Sequence, residues 1–501
     1  MCGGWAAASV HSFTTLCNRR AGRRLDRPLH YPQLYCRVPL DLPSIDLLTL
    51  HGLVTVLSIL VYAASSRAMQ QRRNPTAAIA WILFMLLVPY LALPAFLTFG
   101  SRKLMARRAI PQPEPLAHGT GAWAVDTLLA LGQPAPARYS QLNVHADGNA
   151  SREALLAMLA EAQHSIEVCT FMLGRDRLGA AIIGALAEKA RSGVQVRLLV
   201  DGLGDLMSGH PDLRGLDSAG VAHALFAPPL RSVLRGGRSN LRQHRKLAIV
   251  DAGQPGQHLW CGGRNLTCEY FEDAPGAVPW RDLTFDLRGE LVAQASALFE
   301  RDWAFATGQP LAAQAPAGPM PDVLNGAQMV ASGPDQPDDP IYAFLVSAMY
   351  HARRRVVLAT PYFVPDAALL AAIALAARRG VVVEVLLPEK SNHRLSDLVR
   401  NRAVHAIAKA GARVWLSPDM THGKLAVFDD ELALAGSANL DSRSLFLNYE
   451  LMVAFHHPAD AQRFTQWFEA ECRNARLCSP KQPGLLRDLA DGLLLWLTFQ
   501  L

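Results

Sequence analysis

The chain has 501 residues, 50% of them hydrophobic and 18% charged, enough apolar matter for two or three cores, which excludes disorder as its main state. A formal net charge of +6 suits an anionic lipid surface or a phosphate-bearing substrate without by itself marking a nucleic-acid binder. The 8 cysteines, at positions 2, 17, 36, 169, 261, 268, 472 and 478, form no CxxC pair, so neither a disulfide scaffold nor a zinc site is indicated and no metal is expected.

Residues 1–45 form a basic extension carrying Arg19, Arg20, Arg23, Arg24, Arg27 and Arg37, read as a transit peptide or a lipid-touching arm. Residues 46–100 hold two apolar runs, Leu47 to Ala64 and Thr76 to Phe99, each long enough for a transmembrane helix. Pro89 and Pro94 would kink the second, and a buried core helix or a re-entrant hairpin is the alternative. The arginines of the extension, with Arg102, Lys103, Arg107 and Arg108 after the second run, favour both ends facing the cytoplasm in a multi-pass inner-membrane protein.

A linker, 101–140, leads to alternating helix and strand signals. Glu153 to Gln163 has helical spacing, Ser165 to Met172 is strand-like, Ala180 to Arg191 is helical, and Gly193 turns into the strand-like Val194 to Val200. The pattern recurs in Arg355 to Phe363, Ala367 to Arg379, Gly380 and Val381 to Leu387. An Ala/Pro/Gly-rich stretch at 309–325 separates a first α/β domain, 141–308, from a second, 326–480. An apolar segment, 481–501, closes the chain; Leu493 to Leu501 is too short to span a bilayer.

Each copy carries His-x-Lys-x4-Asp: His244, Lys246 and Asp251, then His422, Lys424 and Asp429. In a strand, residues i and i+2 face one side, so each His and Lys point together, while the Asp falls past the strand and is better placed to orient a neighbour. Lysine is scarce, with 7 in the chain, which makes two at matching motif positions telling. Both copies continue alike, through Gly262-Gly263-Arg264-Asn265 and Gly436-Ser437-Ala438-Asn439.

These motifs resemble the phospholipase D superfamily, and more closely its bacterial cardiolipin synthases. The likeness extends to Asn-Leu-Arg-Gln-His-Arg-Lys around the first motif, Trp280-Arg281-Asp282 after it, Pro361-Tyr362-Phe363-Val364-Pro365, and the run from Gly436 to Glu450. Gly423 departs from it, standing where Ala or Thr is commoner, as do the long extension and the basic segment Ser391 to Arg402. The resemblance implies two tandem α/β/α domains related by pseudo-two-fold symmetry, preceded by two transmembrane helices. It also implies a catalytic set of His244, Lys246, Asp251, His422, Lys424 and Asp429, with His244 as nucleophile and His422 as acid and later base.

On physical grounds, two imidazoles facing one phosphodiester divide a displacement into two steps through a phosphohistidine. Lys246, Asn265, Lys424 and Asn439 would bind the phosphate oxygens, so no cofactor is needed. Glu269 and Glu450 are the candidates for fixing the imidazoles. The Trp residues at 260, 280 and 303 read as packing, and Cys261 and Cys268 as small core residues.

The activity implied is transfer of a phosphatidyl group from one phosphatidylglycerol to another at a membrane, with no nucleic-acid partner. A phospholipase D-type hydrolase, a nuclease, or a silent membrane-anchored scaffold are the alternatives; the basic stretches lack the interleaved aromatics of a nucleic-acid platform.

Overall fold

The computed structural model describes residues 47–68, 75–99, 119–228, 240–271, 278–311, 325–336 and 338–479. The basic extension, residues 101–118 of the first linker, 312–324 of the second and the apolar 481–501 segment lie outside the described residues; the rest of the first linker carries the helix Trp123–Ala130 and the strand Ala137–Arg138.

The first apolar run is a helix, Leu47–Ala68, long and apolar enough to cross a bilayer and mostly exposed along its side. The second differs from the expected single helix. It forms two helices, Pro75–Leu87 and Pro89–Phe99, meeting at Val88. Pro89 has no N–H to continue the ladder. Val88 N–H closes the first helix on the Phe84 carbonyl (2.9 Å), and the Val88 carbonyl opens the second by accepting from Ala92 (3.0 Å).

Trp81 and Phe96 lie edge to face at 5.3 Å, although 15 residues of continuous helix would hold them about 22 Å apart. The second helix is therefore folded back on the first, and Tyr62 of the long helix packs on the same Phe96. Helices of 13 and 11 residues reach about 20 and 17 Å, short of the hydrocarbon thickness of about 30 Å. Among the described residues there is thus one helix long and apolar enough to span and a helical hairpin in place of the second.

The rest of the chain is two mixed sheets built on one plan. The first runs Ser140–Val144, Thr284–Arg288, His258–Gly262, Leu247–Val250, Ser165–Thr170, Gln195–Asp201, Ala222–Phe226. The second repeats that order as Gly326–Ser332, Asn448–Phe455, Leu432–Gly436, Leu425–Phe428, Arg355–Ala359, Val382–Pro388, Arg413–Ser417, with two-residue strands added at its edges. In each sheet three parallel strands joined by helical crossovers meet an antiparallel set, the same change of direction in both.

Helices Leu291–Thr307 and Pro458–Cys472 pack on the sheets from within, sharing one core to which both halves contribute. Phe285 of the first half meets Phe455 and Phe464 of the second edge to face, at 5.3 and 5.9 Å. Separate outer cores lie under the remaining helices of each half. A hydrophobic interface of this kind holds the halves in one relative orientation, as a site assembled from both requires.

Candidate active site

The two motif strands, Leu247–Val250 and Leu425–Phe428, sit at the centres of their sheets, and His-x-Lys occupies the approach to each. Each approach leans on the opposite half. Arg242–Gln243 pairs in parallel with Asn448–Tyr449, and His244 N–H donates to the Tyr449 carbonyl (2.9 Å). In the mirror arrangement Thr421 bridges to Arg281, and His422 N–H donates to the Arg281 carbonyl (2.6 Å). The residue after each acceptor is a carboxylate, and that carboxylate takes the imidazole of the other half.

His244 Nδ1 donates to Glu450, 2.9 and 3.0 Å from its two oxygens. His422 Nδ1 donates to Asp282 Oδ2 (2.6 Å). Glu450 stands where the sequence reading put it; Glu269 does not reach an imidazole. Its side chain bonds Thr267, and its backbone carbonyl accepts Trp280 N–H (2.7 Å). Asp282 takes the role expected of Glu269.

Sheet register would have found it. Gly262 pairs with Thr284 and Gly436 with Met452, so Asp282 and Glu450 occupy equivalent places two residues before those partners.

Asp251 and Asp429, included in the catalytic set on resemblance, lie past the far ends of the motif strands and touch neither imidazole. Asp251 accepts the backbone N–H groups of Gln163, His164 and Ser165; Asp429 does the same for Arg353, Arg354 and Arg355. Both adopt positive φ, 52° and 55°, a conformation that Asp tolerates through such local bonding. They tie the motif strand to the start of its neighbour.

Lys246 Nζ donates to the His244 carbonyl (2.7 Å) and lies over the Phe171 ring. Lys424 Nζ donates to the His422 carbonyl and lies 3.0 Å from His422 Nε2. Asn265 donates to Tyr270 Oη (2.9 Å), and the Oδ1 atoms of Asn265 and Asn439 are buried without a partner. The site is further bounded by Phe171 beside His244, and by Tyr270, Trp280 and Tyr362 around His422; Phe171 and Tyr270 were not singled out in the sequence, while Trp280 was read as packing and Tyr362 was named only within its motif. Trp280 thus packs on a motif histidine. Cys261 is buried and Cys268 half-buried.

Burial sets the protonation states. Desolvation, then Lys424, pushes His422 down to about 3; desolvation also lowers His244, with Glu450 opposing it. Desolvation brings Lys246 down to about 7 and Lys424 to about 8. Burial would raise the two carboxyls, but Lys424 and His422 hold Asp282 below its ordinary value, and His244 and Lys246 do so for Glu450. Two neutral imidazoles thus lie between two carboxylates and two lysines whose positive charge burial weakens.

Gly423 has a structural reason. A Cβ there would come within 2.4 Å of the Trp467 indole, which fills the space. The corresponding position in the first motif, Arg245, sends its guanidinium into an ion pair with Asp302 and to the Glu450 carbonyl (3.1 Å).

A family model described as "Cardiolipin synthase, PLD-like domain" matches residues 155–303 and 345–472, and one described as "Phospholipase_D-nuclease N-terminal" matches 54–101. Cardiolipin synthase A of Pseudomonas entomophila (strain L48) is 32% identical over 85% of this chain and 91% of its own length. That of Pseudomonas aeruginosa (strain LESB58) is 30% identical over 87% and 93%. Among solved structures, phosphatidylserine synthase of Haemophilus influenzae Rd KW20 shares the fold, with a TM-score of 0.54 and 14% identity over 72% of this chain and 97% of its own. With both motifs intact and the match covering most of its length, this chain belongs to the PLD-like cardiolipin synthase family.

Proposed function

We propose that this chain is a membrane-bound cardiolipin synthase that transfers a phosphatidyl group from one phosphatidylglycerol to a hydroxyl of a second, releasing glycerol. The observation that carries the reading is the reciprocal pairing of His244 with Glu450 and His422 with Asp282 around two lysines, in a chain of this family. Hydrogen bonding of each Nδ1 to a carboxylate leaves Nε2 toward substrate and supports positive charge on the ring as it forms.

In the first step His244 Nε2 attacks phosphorus, a P–N bond forms, and the P–O bond to glycerol breaks as His422 gives the leaving oxygen a proton. In the second step His422 takes the proton of an incoming lipid hydroxyl, whose oxygen displaces His244 and completes the new diester. Lys246, Lys424, Asn265 and Asn439 supply charge and donors to the non-bridging oxygens. The bound anion offsets the lysine charge that, after burial, keeps His422 unprotonated, so substrate itself equips His422 as the acid. Asp251 and Asp429 act as positioning residues for the motif strands.

The catalytic domains are 141–308 and 326–480, and we place them on the cytoplasmic side of the inner membrane, acting on anionic phospholipid and on no nucleic acid. A reporter fused after residue 108 checks the side.

The deciding experiment incubates the reconstituted protein with labelled phosphatidylglycerol in EDTA and separates the products. Cardiolipin from wild type and none from His422→Ala is the expected result. Phosphatidic acid in its place makes the protein a hydrolase, and activity retained by both His244→Ala and His422→Ala returns the scaffold reading.

A further inference from the structure

Each half presents an exposed apolar pair on the first helix after its middle parallel strand, and a chain of contacts links that helix to the half's own histidine. In the first half the helix Gly202–Met207 follows Gln195–Asp201, the middle one of the three parallel strands. Gly204 packs so closely on Phe171 that a Cβ would meet its carbonyl oxygen at 1.7 Å, and the Phe171 ring lies 5.5 Å from the His244 ring. At the end of this helix, Leu206 is 54% and Met207 58% exposed. In the second half the equivalent strand, Val382–Pro388, leads to the helix Arg394–Lys409. Its entry is tied to the site by Tyr362, which bonds Asn392 (2.5 Å), packs on His393 at 5.1 Å and lies 6.4 Å from the His422 ring. On the first turns Leu395 is 36% and Leu398 46% exposed.

An exposed leucine by itself needs no explanation. Two such pairs on helices that follow equivalent strands do, and the neighbours of the second pair give the occupant. Lys390, Arg394 and Arg402 are exposed around the second pair, while the nearby carboxylates are engaged: Asp397 with Arg400 and the Ser391 N–H, and Glu389 with Arg476. Val399, Ala403, Val404 and Ile407 bury the other face of the helix against its sheet. Apolar side chains ringed by cations, on a helix whose opposite face is already packed, match the interface of an anionic bilayer.

We infer that Leu206, Met207, Leu395 and Leu398 form a rim that seats the active-site mouth directly on an anionic phospholipid surface, apart from the anchoring helix. This rests on the lipid-transferase reading and adds how substrate arrives. A headgroup phosphodiester lies at the bilayer surface, so a mouth pressed on that surface needs only a short upward displacement of the lipid. The four side chains shield the emerging acyl chains from water.

The test uses the full chain in phosphatidylglycerol vesicles, with Leu206→Glu/Met207→Glu and Leu395→Glu/Leu398→Glu. Each pair should lower cardiolipin formation from vesicle lipid at least tenfold while leaving turnover of a short-chain, monomerically dispersed phosphatidylglycerol within threefold of wild type. Leu398→Trp should add tryptophan emission that brominated acyl chains quench. Equal losses on both substrates, no loss on either, added emission in Leu398→Trp that the brominated chains leave unquenched, or a changed oligomeric state in detergent for the glutamate pairs would each overturn the rim. Wild type inactive on both substrates would instead overturn the transferase reading beneath it.

Discussion

The two half-sites share one plan and differ in what surrounds it. His244 keeps 14% of its side chain exposed and faces Glu450, which also accepts from Ser437, Ser444 and Asn448. His422 keeps 4%, faces Asp282, and has Lys424 against its ring and Tyr270, Trp280 and Tyr362 around it. The middle residue of the motif is Arg245 in one half, with a buried ion pair, and Gly423 in the other, with an indole in the vacant space. Symmetry gives each half one imidazole held by a carboxylate of the other, and under the proposed mechanism the differences would give the two rings unequal work. One ring is better hydrated and anchored by a saturated carboxylate; the other is dry and held neutral until an anion arrives.

Exchanging either histidine breaks the comparison most completely. His244→Ala and His422→Ala should each remove about 10⁴-fold or more of turnover, but only one can leave a trapped phosphohistidine in the partner ring. Acid quench of labelled lipid followed by phosphohistidine detection tells which. Next come the carboxylates. Asp282→Asn should cost about 10²–10⁴-fold in kcat by misorienting His422, and Glu450→Gln a comparable factor, whereas Glu269→Gln should stay within about threefold of wild type. Parity between Asp282→Asn and Glu269→Gln would undo the assignment made from the structure.

The motif was legible as a spacing, but both His-x-Lys pairs stand just before the strands Leu247–Val250 and Leu425–Phe428 and not within them, so a strand period alone does not account for how each His and Lys come together. Glu450 was legible too, lying within the repeated run from Gly436. Asp282 was named only within Trp280-Arg281-Asp282 and given no role, because the spacing from Asn439 to Glu450, carried over to Asn265, falls on Gly276, the loop that carries Asp282 being longer than its counterpart. Only the pairing of Gly262 with Thr284 restores the alignment. The two aspartates of the motif illustrate the reverse error: resemblance put them in the catalytic set, while the strand spacing alone already placed them beyond reach. The break at Val88 was half visible in Pro89, but a proline gives a kink and not its angle; the fold-back depends on Trp81, Tyr62 and Phe96 packing together.

Smaller effects sharpen the electrostatic contrast. The lysines sit near 7 and 8 because burial disfavours their charge; deprotonation removes the cations that receive the phosphate. kcat/KM, which reports the free enzyme, should therefore fall as pH rises through about 7–8, and the corresponding limb in kcat should lie higher because a bound anion favours charged lysine. The depressed His422 acts in the opposite range. Unfolded histidine binds a proton below about 6.5, and folded His422 only near 3. The folded state thus loses stability as pH drops through that window, with Asp282 and Glu450 adding the same sign at its acid end. Thermal melts from pH 7 to 4 should show a falling Tm, and His422→Gln should flatten the slope. The smallest expected change is Gly423→Ala, a loss of about 1–3 kcal/mol from crowding Trp467, which Trp467→Phe should partly relieve.

The crossed carboxylates also bear on the ancestry and engineering of the chain. A detached half would carry a histidine with no carboxylate behind it and a carboxylate with no histidine to hold, so neither fragment is a diminished enzyme; each is an incomplete one. Reassembly from two separately expressed pieces should restore both rings together or neither, and mutations that loosen the shared core around Phe285, Phe455 and Phe464 should be felt at both histidines at once. In inheritance the halves are therefore bound as a pair: each copy is free to drift in what surrounds its own motif, but not in the residue it lends to the other.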